Sequence, residues 1–237
     1  MNAPFERDGR LDLLARLVCQ VPCRRLVDIG SDHATVPVEL LRRGHCQSVL
    51  VTDIRQGPLS AAIRRARKAG LNKGFEARRT DGLEGIDLLE GDVLLISGLG
   101  GDTLAGILEN QASKLAVPDR IIIQPQTKEE KVRAALQSAG REISQELYVR
   151  ERDQLYLVMV SDHVNPDLVA LSASELYFGP LVLSRLREGD RDQALLDYLA
   201  RRLRRLRKQA PYDQAARSLL QVFEEDFPIS YNELDWD

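Results

Sequence analysis

Cysteine and histidine are scarce in this chain. The cysteines are Cys19, Cys23 and Cys46, with no CxxC pair among them, and the histidines His33, His45 and His163 lie far apart. Neither a disulfide framework nor a metal site is expected from such a set. The reduced cytoplasm is the expected compartment. Long apolar runs are lacking too: Val93 to Gly101 carries no charge but is too short to cross a bilayer, and the start, MNAPFERDGR, has an acidic residue and no signal-type apolar region. No membrane association is expected. Nor is there an excess of positive charge: 33 basic against 36 acidic residues leave a net charge of −3. That excludes a protein that is basic all over, although local patches survive such an average. No oligomeric state follows from any of this.

What is present is enough for a real core, since 43% of the 237 residues are hydrophobic. From Arg25 to Gln124, β-rich runs alternate with helical patterns: RLVDI (25–29), SVLVT (48–52), FEARRT (75–80), DVLLIS (92–97) and RIIIQ (120–124). Alternation of this kind predicts βαβ units and a parallel sheet. Leu59, Ala62, Ile63 and Ala66 recur at helical spacing with Gly70 as C-cap, which predicts a crossover helix. A further helix is expected near Lys128–Ser138. The runs at 142–149 and 153–161 have too few residues between them for a crossover, so they form a hairpin. A parallel sheet closed by an antiparallel hairpin is the plan of Rossmann-like class I methyltransferases rather than of dehydrogenases. HVNPD (163–167) reads as a linker. Beyond it, Leu196, Leu199, Leu203 and Leu206, and then Leu219 and Phe223, predict two antiparallel helices. The expected organisation is an α/β domain over residues 1–162 and a small helical, coiled-coil-like domain over 163–237.

The chemistry is concentrated at strand ends. After the first strand the chain reads Asp28-Ile-Gly30-Ser31-Asp32-His33-Ala34, where an open parallel sheet binds its ligands. A pyrophosphate loop would show GxGxxG, and two carboxylates would repel phosphates. S-adenosyl-L-methionine resolves this, because its ammonium and sulfonium are cationic and its carboxylate can meet backbone N–H groups. Asp53, with Ile54 beside it, ends the second strand where a carboxylate can accept both ribose hydroxyls. Asp81-Gly82-Leu83 follows the third strand, from which Asp81 could accept the adenine amino group. Ser97-Gly98-Leu99-Gly100-Gly101 puts three glycines at the mouth of the sheet. Gln124-Pro125-Gln126 ends the fifth strand with uncharged donors and acceptors.

Taken together, DIGSDHA (28–34) with Pro37, TDI (52–54), DGL (81–83), SGLGG (97–101), QP (124–125), the hairpin ending in QLYLVMV, and FGPLVL (178–183) resemble one family. It is that of the bacterial tRNA adenine-22 N1-methyltransferases, TrmK, and the likeness spans nearly the whole chain. The resemblance implies a Rossmann-like catalytic domain followed by a coiled-coil-like one. By position it puts Asp28, Gly30, Ser31, Asp32 and His33 at the methionyl group, Asp53 at the ribose, Asp81 at the adenine and Gly98 to Gly101 at the methyl-transfer face. Two positions depart from the family pattern, Thr35 in place of an aromatic and Gln126 in place of Asn, both at the expected substrate mouth. Adenine N1 has a free lone pair, so no strong base is needed; Asp32, His33, Gly100, Gly101, Gln124 and Gln126 are the candidates for orienting the reaction. RNA contact is expected from Arg10 and from Arg201, Arg202, Arg204, Arg205, Arg207 and Lys208 on the C-terminal helix, ahead of an acidic tail that includes Glu224 and Asp237. Two other readings use the same residues: methyl transfer to another RNA or a small molecule, and a non-catalytic RNA-binding relative.

Overall fold

The computed structural model describes residues 9–30 and 33–227. These fall into two compact units, Met1–Leu168 and Val169–Asp237. No helix among the described residues is long and apolar enough to cross a membrane.

The first unit is a seven-stranded sheet. Its strands are β1 (Cys23–Ile29), β2 (Cys46–Asp53), β3 (Phe75–Arg79), β4 (Asp92–Leu99), β5 (Arg120–Pro125), β7 (Gln145–Glu151) and β8 (Gln154–Ser161), and a two-residue β6 (Arg141–Glu142) lies outside the sheet. The order is β3-β2-β1-β4-β5-β8-β7. The first five strands are parallel, and the β7–β8 hairpin adds antiparallel to β5. The middles of β1, β4 and β5 are apolar because both faces of a parallel sheet are covered. Leu26, Val27, Val93 to Ile96 and Ile121 to Ile123 are accordingly buried. On one face, α1 (Arg10–Cys19) and α2 (Thr35–Arg42) set Leu14, Leu17, Val18, Val36 and Leu40 against this core. The helix α3 (Gln56–Lys68) buries Leu59, Ala62 and Ala66, and Gly70 follows in a left-handed conformation (φ +75°), so the helix stop expected from the glycine is found. The helices α4 (Gly101–Asn110) and α5 (Glu129–Ser138) complete the unit.

Two local expectations are corrected. The segment HVNPD does not begin as a linker. His163–Val164 forms a strand, β9, antiparallel to β6, and the turn comes only at Asn165, whose side chain accepts from the Asp167 N–H at 3.0 Å. The fourth strand runs past Ser97 to Leu99, and its register against β5 shifts there because Gly98 takes φ +79°. Such a bulge re-aims the strand end, and it lies where the ligand edge of the sheet begins.

The second unit is helical: α6 (Ala173–Phe178), α7 (Pro180–Arg187), α8 (Gln193–Gln209) and α9 (Gln214–Asp226). Ser172 and Glu175 form a capping box on α6, and Pro180 starts α7 at a position where its missing N–H is harmless. Phe178, Phe223 and Phe227 stack with ring centroids 4.4 and 5.1 Å apart. The motif FGPLVL is thus the packing seam of this unit.

A buried ion pair joins α5 to β7: Arg133 and Glu146 are 2.7 Å apart and both side chains are shut off from water. Arg133→Met is expected to lower the unfolding free energy by about 3–5 kcal/mol, because Glu146 stays buried without its cation. Adding Glu146→Leu should restore most of that loss. Urea unfolding of the single and double variants checks this; equal losses in both would mean that the lone carboxylate is not the cause.

Candidate active site

The carboxyl ends of β1, β2 and β4 surround a cavity of about 440 Å³, within the size range of small-molecule sites. Its floor is acidic. Asp28 and Asp53 both line it and are only 4% and 5% exposed. Asp53 is held by its own turn, since its Oδ1 accepts the Arg55 N–H at 2.7 Å. Among the described residues no hydrogen bond is made to its other oxygen. Two carboxylates kept nearly dry are unfavourable unless something positive or hydrogen-bond-donating meets them. They exclude phosphate as the central group of a ligand and favour a cationic one.

Backbone geometry shapes the rest. Gly30, at φ +71°, donates its N–H to the Thr52 carbonyl at 2.9 Å, and a Cβ there would lie 3.1 Å from the Leu99 side chain. A side chain at residue 30 would therefore crowd Leu99 at the end of β4, and the positive φ itself favours glycine. Ala34 begins α2 at φ +50°, a strained conformation for a residue with a Cβ. Gly98 faces the cavity at its bulge, with Arg10 and Gln126 at its rim.

Arg10 reaches this rim from the first turn of α1. Its Nη1 donates to Gln124 Oε1 at 3.0 Å, its Nε lies 3.8 Å from the Glu151 carboxylate, and its guanidinium sits 5.3 Å from the Tyr156 ring centre. The far end of Gln124 donates to the Pro125 carbonyl at 2.8 Å. Gln124 is fully buried and both ends of its amide are engaged, so it holds Arg10 rather than meeting a substrate.

Asp28, Gly30, His33, Asp53, Gly98, Leu99, Arg10 and Gln126 line the cavity together. Ser31 and Asp32 lie outside the described residues. Ile54 is exposed beside the mouth, and its carbonyl accepts from Arg79. Asp81 is exposed in the turn after β3 and does not line the cavity; Leu83 is core, and Gly82 is required because a Cβ would lie 2.9 Å from Ile107. Leu11, Arg55 and Leu95 line the cavity without having been expected. Arg55 could have been found, since it lies two residues past the strand-ending Asp53.

Three expectations are overturned. Gly101 does not face a ligand: it is the buried start of α4, and a Cβ would lie 2.3 Å from the Thr127 carbonyl oxygen. Gly100, its N-cap, lies outside the cavity lining as well. Arg202 is not on an RNA-facing side of α8. It is 2% exposed, stacks 3.7 Å from the Tyr177 ring centre and donates to the Tyr177 carbonyl at 2.8 Å. Arg201, Arg204, Arg205 and Lys208 are exposed, and Arg207 pairs with Glu224 at 3.1 Å. No group of three or more potential metal ligands occurs among the described residues.

An exposed clamp ties α4 to the start of α5. Asp102, in the first turn of α4, accepts from Lys128 and Lys131, and these hydrogen bonds hold its carboxyl below the usual carboxylate range. The link is therefore complete at neutral pH and is lost only as the pH falls through that lowered value. The glycines beside it make a paired test. Gly101→Ala is expected to lose about 1–3 kcal/mol through overpacking against backbone. Gly100→Ala, with ordinary φ −68° and its nearest neighbour 3.5 Å away, should stay within about 0.5 kcal/mol of the parent. Denaturant midpoints read both, and equal losses would refute the packing role of Gly101.

Residues 26–223 match the TrmK family, tRNA (adenine(22)-N(1))-methyltransferase. The chain is 33% identical over 161 residues to the tRNA (adenine(22)-N(1))-methyltransferase of Bacillus subtilis (strain 168), across 66% of this chain and 67% of that one. A Streptococcus pneumoniae protein solved in complex with S-adenosyl-L-methionine superposes with a TM-score of 0.73 at 29% identity, covering 90% of this chain and 98% of its own. The Bacillus subtilis TrmK crystal structure gives 0.72 at 24% identity, with 93% and 97% covered, and at that identity speaks for the fold. The chain belongs to the TrmK family of tRNA (adenine(22)-N(1))-methyltransferases.

Proposed function

We propose that the cavity binds S-adenosyl-L-methionine and that the protein transfers its methyl group to N1 of adenine 22 in tRNA. The observation that carries this is the pair of buried carboxylates, Asp28 and Asp53, at the ends of adjacent parallel strands and lining one cavity. Bound there, S-adenosyl-L-methionine supplies an electrophilic methyl on a sulfonium. Asp28 offsets positive charge at the methionyl end, and the open oxygen of Asp53 accepts from the ribose. Ile54, exposed beside Asp53, provides an apolar surface for the purine.

The acceptor side is lined by neutral groups and one cation. Gln126 is exposed, faces the cavity and is tied to β4 by its N–H, which donates to the Leu99 carbonyl at 2.9 Å. Its amide can both donate to and accept from the Watson–Crick edge of a base. Adenine N1 attacks with its own lone pair, so the chain's task is alignment and hydrogen bonding rather than proton removal. His33, at the cavity mouth, is a second orienting group. Arg10, fixed by Gln124 and flanked by Tyr156, lies where a phosphate or the edge of an extruded base would enter. The Watson–Crick edge is reachable only in an unpaired base, which requires further grip on the RNA. In the helical unit, Val169–Asp237, that grip falls to Arg201, Arg204, Arg205 and Lys208.

Transfer of labelled methyl to unmodified tRNA transcripts bearing A or G at position 22, with nucleoside mass analysis, tests the whole reading. Methylation of the A22 transcript alone, as 1-methyladenosine, is the expected result; transfer to neither transcript would overturn it. Asp53→Ala should weaken S-adenosyl-L-methionine binding by about 1–3 kcal/mol, measured by calorimetry. Unchanged affinity would remove Asp53 from the ribose.

A further inference from the structure

Between Asp53 and Glu76 the sequence contains Arg55, Arg64, Arg65, Arg67, Lys68 and Lys73 and no acidic residue. In a chain of net charge −3 this is a strong local excess. The structure puts four of these six on α3. Leu59, Ala62 and Ala66 hold one side of the helix against the sheet, which turns Arg64, Arg67 and Lys68 to water with Arg65 half-buried beside them. Among the described residues, none of these four side chains makes an ion pair or a side-chain hydrogen bond. Cations placed together without carboxylates repel one another, and such a cluster gains most from an external polyanion.

A groove gives the cluster its direction. Thr35, Val38, Glu39, Arg42, Arg65 and Lys68 line a depression of about 250 Å³ between α2 and α3. Its one carboxylate, Glu39, is already bound by Arg42 at 2.7 Å and Arg43 at 2.6 Å. The groove is therefore net positive. Thr35 also lines the main cavity, so the groove opens beside the cavity mouth, where the side chain of Arg55 is 71% exposed.

We infer that the α2–α3 groove and the exposed face of α3 form a tRNA backbone track that delivers the target strand to the cavity at Thr35. The inference rests on the tRNA methyltransferase reading above and adds a surface that reading does not assign. Arg64, Arg67 and Lys68 contact phosphates along the helix. Arg65 and Lys68 line the groove, and Arg55 meets the strand at the mouth. The contacts read no base, so they set affinity and register while the cavity sets the target. The cations of α8 are differently placed: Arg202 is buried and Arg207 already holds a carboxylate.

The test is the triple variant Arg64→Gln, Arg67→Gln, Lys68→Gln in the full chain, with Arg24→Gln, an exposed cation at the opposite ends of the strands, as control. tRNA affinity is measured across a salt series, S-adenosyl-L-methionine affinity by calorimetry, and methyl transfer at low and saturating tRNA. Each lost phosphate contact lowers the slope of log affinity against log salt by about 1, so a decrease of about 3 is expected. Affinity should fall on the order of 10- to 100-fold near 0.15 M salt, from the same electrostatic term. KM for tRNA should rise accordingly, while kcat, cofactor affinity and melting temperature stay at parent values and Arg24→Gln changes little. A triple variant that keeps the parent slope and KM, beside a parent protein that methylates tRNA, overturns the track alone. A parent protein that neither binds nor methylates tRNA overturns the reading beneath it as well.

Discussion

The parallel sheet is covered on both faces, and that constraint decides where everything polar can go. β1, β4 and β5 are apolar along most of their length because neither side meets water. Charged groups are admitted only at strand ends. At the amino ends they are structural, as where Arg25 holds Asp92 of β4. At the carboxyl ends Asp28 and Asp53 are buried and line the cavity. Among the described residues, Asp53 is offset by its own turn and by the exposed Arg55. The same architecture thus puts a structural ion pair at one end of the strands and an acidic cavity floor at the other.

Close packing then fixes the shape around those two carboxylates. Gly30 against Leu99, Gly82 against Ile107 and Gly101 against the Thr127–Lys128 backbone set the turn after β1 on the end of β4, the turn after β3 on α4, and the start of α4 on the loop after β5. The approach at Gly101, 2.3 Å to backbone, leaves no room for a methyl group, that at Gly82 is 2.9 Å to a side chain, and that at Gly30 is tight at 3.1 Å. Gly98 differs from these three, since its Cβ position is nearly open and its positive φ serves the bulge. One glycine in SGLGG therefore shapes the cavity while another shapes the wall behind it.

These distinctions mark how far the sequence could be read. The alternation of strands and helices, the closing hairpin, and the placement of Asp28 and Asp53 at strand ends were legible because they depend on local period and short spacing. The three glycines looked alike, because φ and the nearest non-local atom do not appear in a motif. Arg10 donating to Gln124, separated by 114 positions, is a tertiary fact of the same kind. So is the meeting of Cys23 and Cys46, which lie in register on β1 and β2 with sulfurs 2.9 Å apart. Arg202 was misread for another reason. The density of arginines on α8 suggested one solvated face, yet Leu195, Leu199, Arg202 and Leu206 fall on a single helical stripe, and that period places Arg202 inward.

Charge is segregated in the first unit in a way its average conceals. The cavity floor is negative and nearly dry, while α3 and the groove beside it are positive and wet. Coulomb interactions at the floor are little screened, whereas those along α3 act through water and weaken with salt. Cofactor and RNA would then respond differently to ionic strength even though their sites meet at Thr35. The separation also limits interference. A phosphate backbone drawn onto α3 passes beside the carboxylates without being required to displace a ligand from them. Only a neutral group, the extruded base, needs to enter a cavity whose floor repels anions.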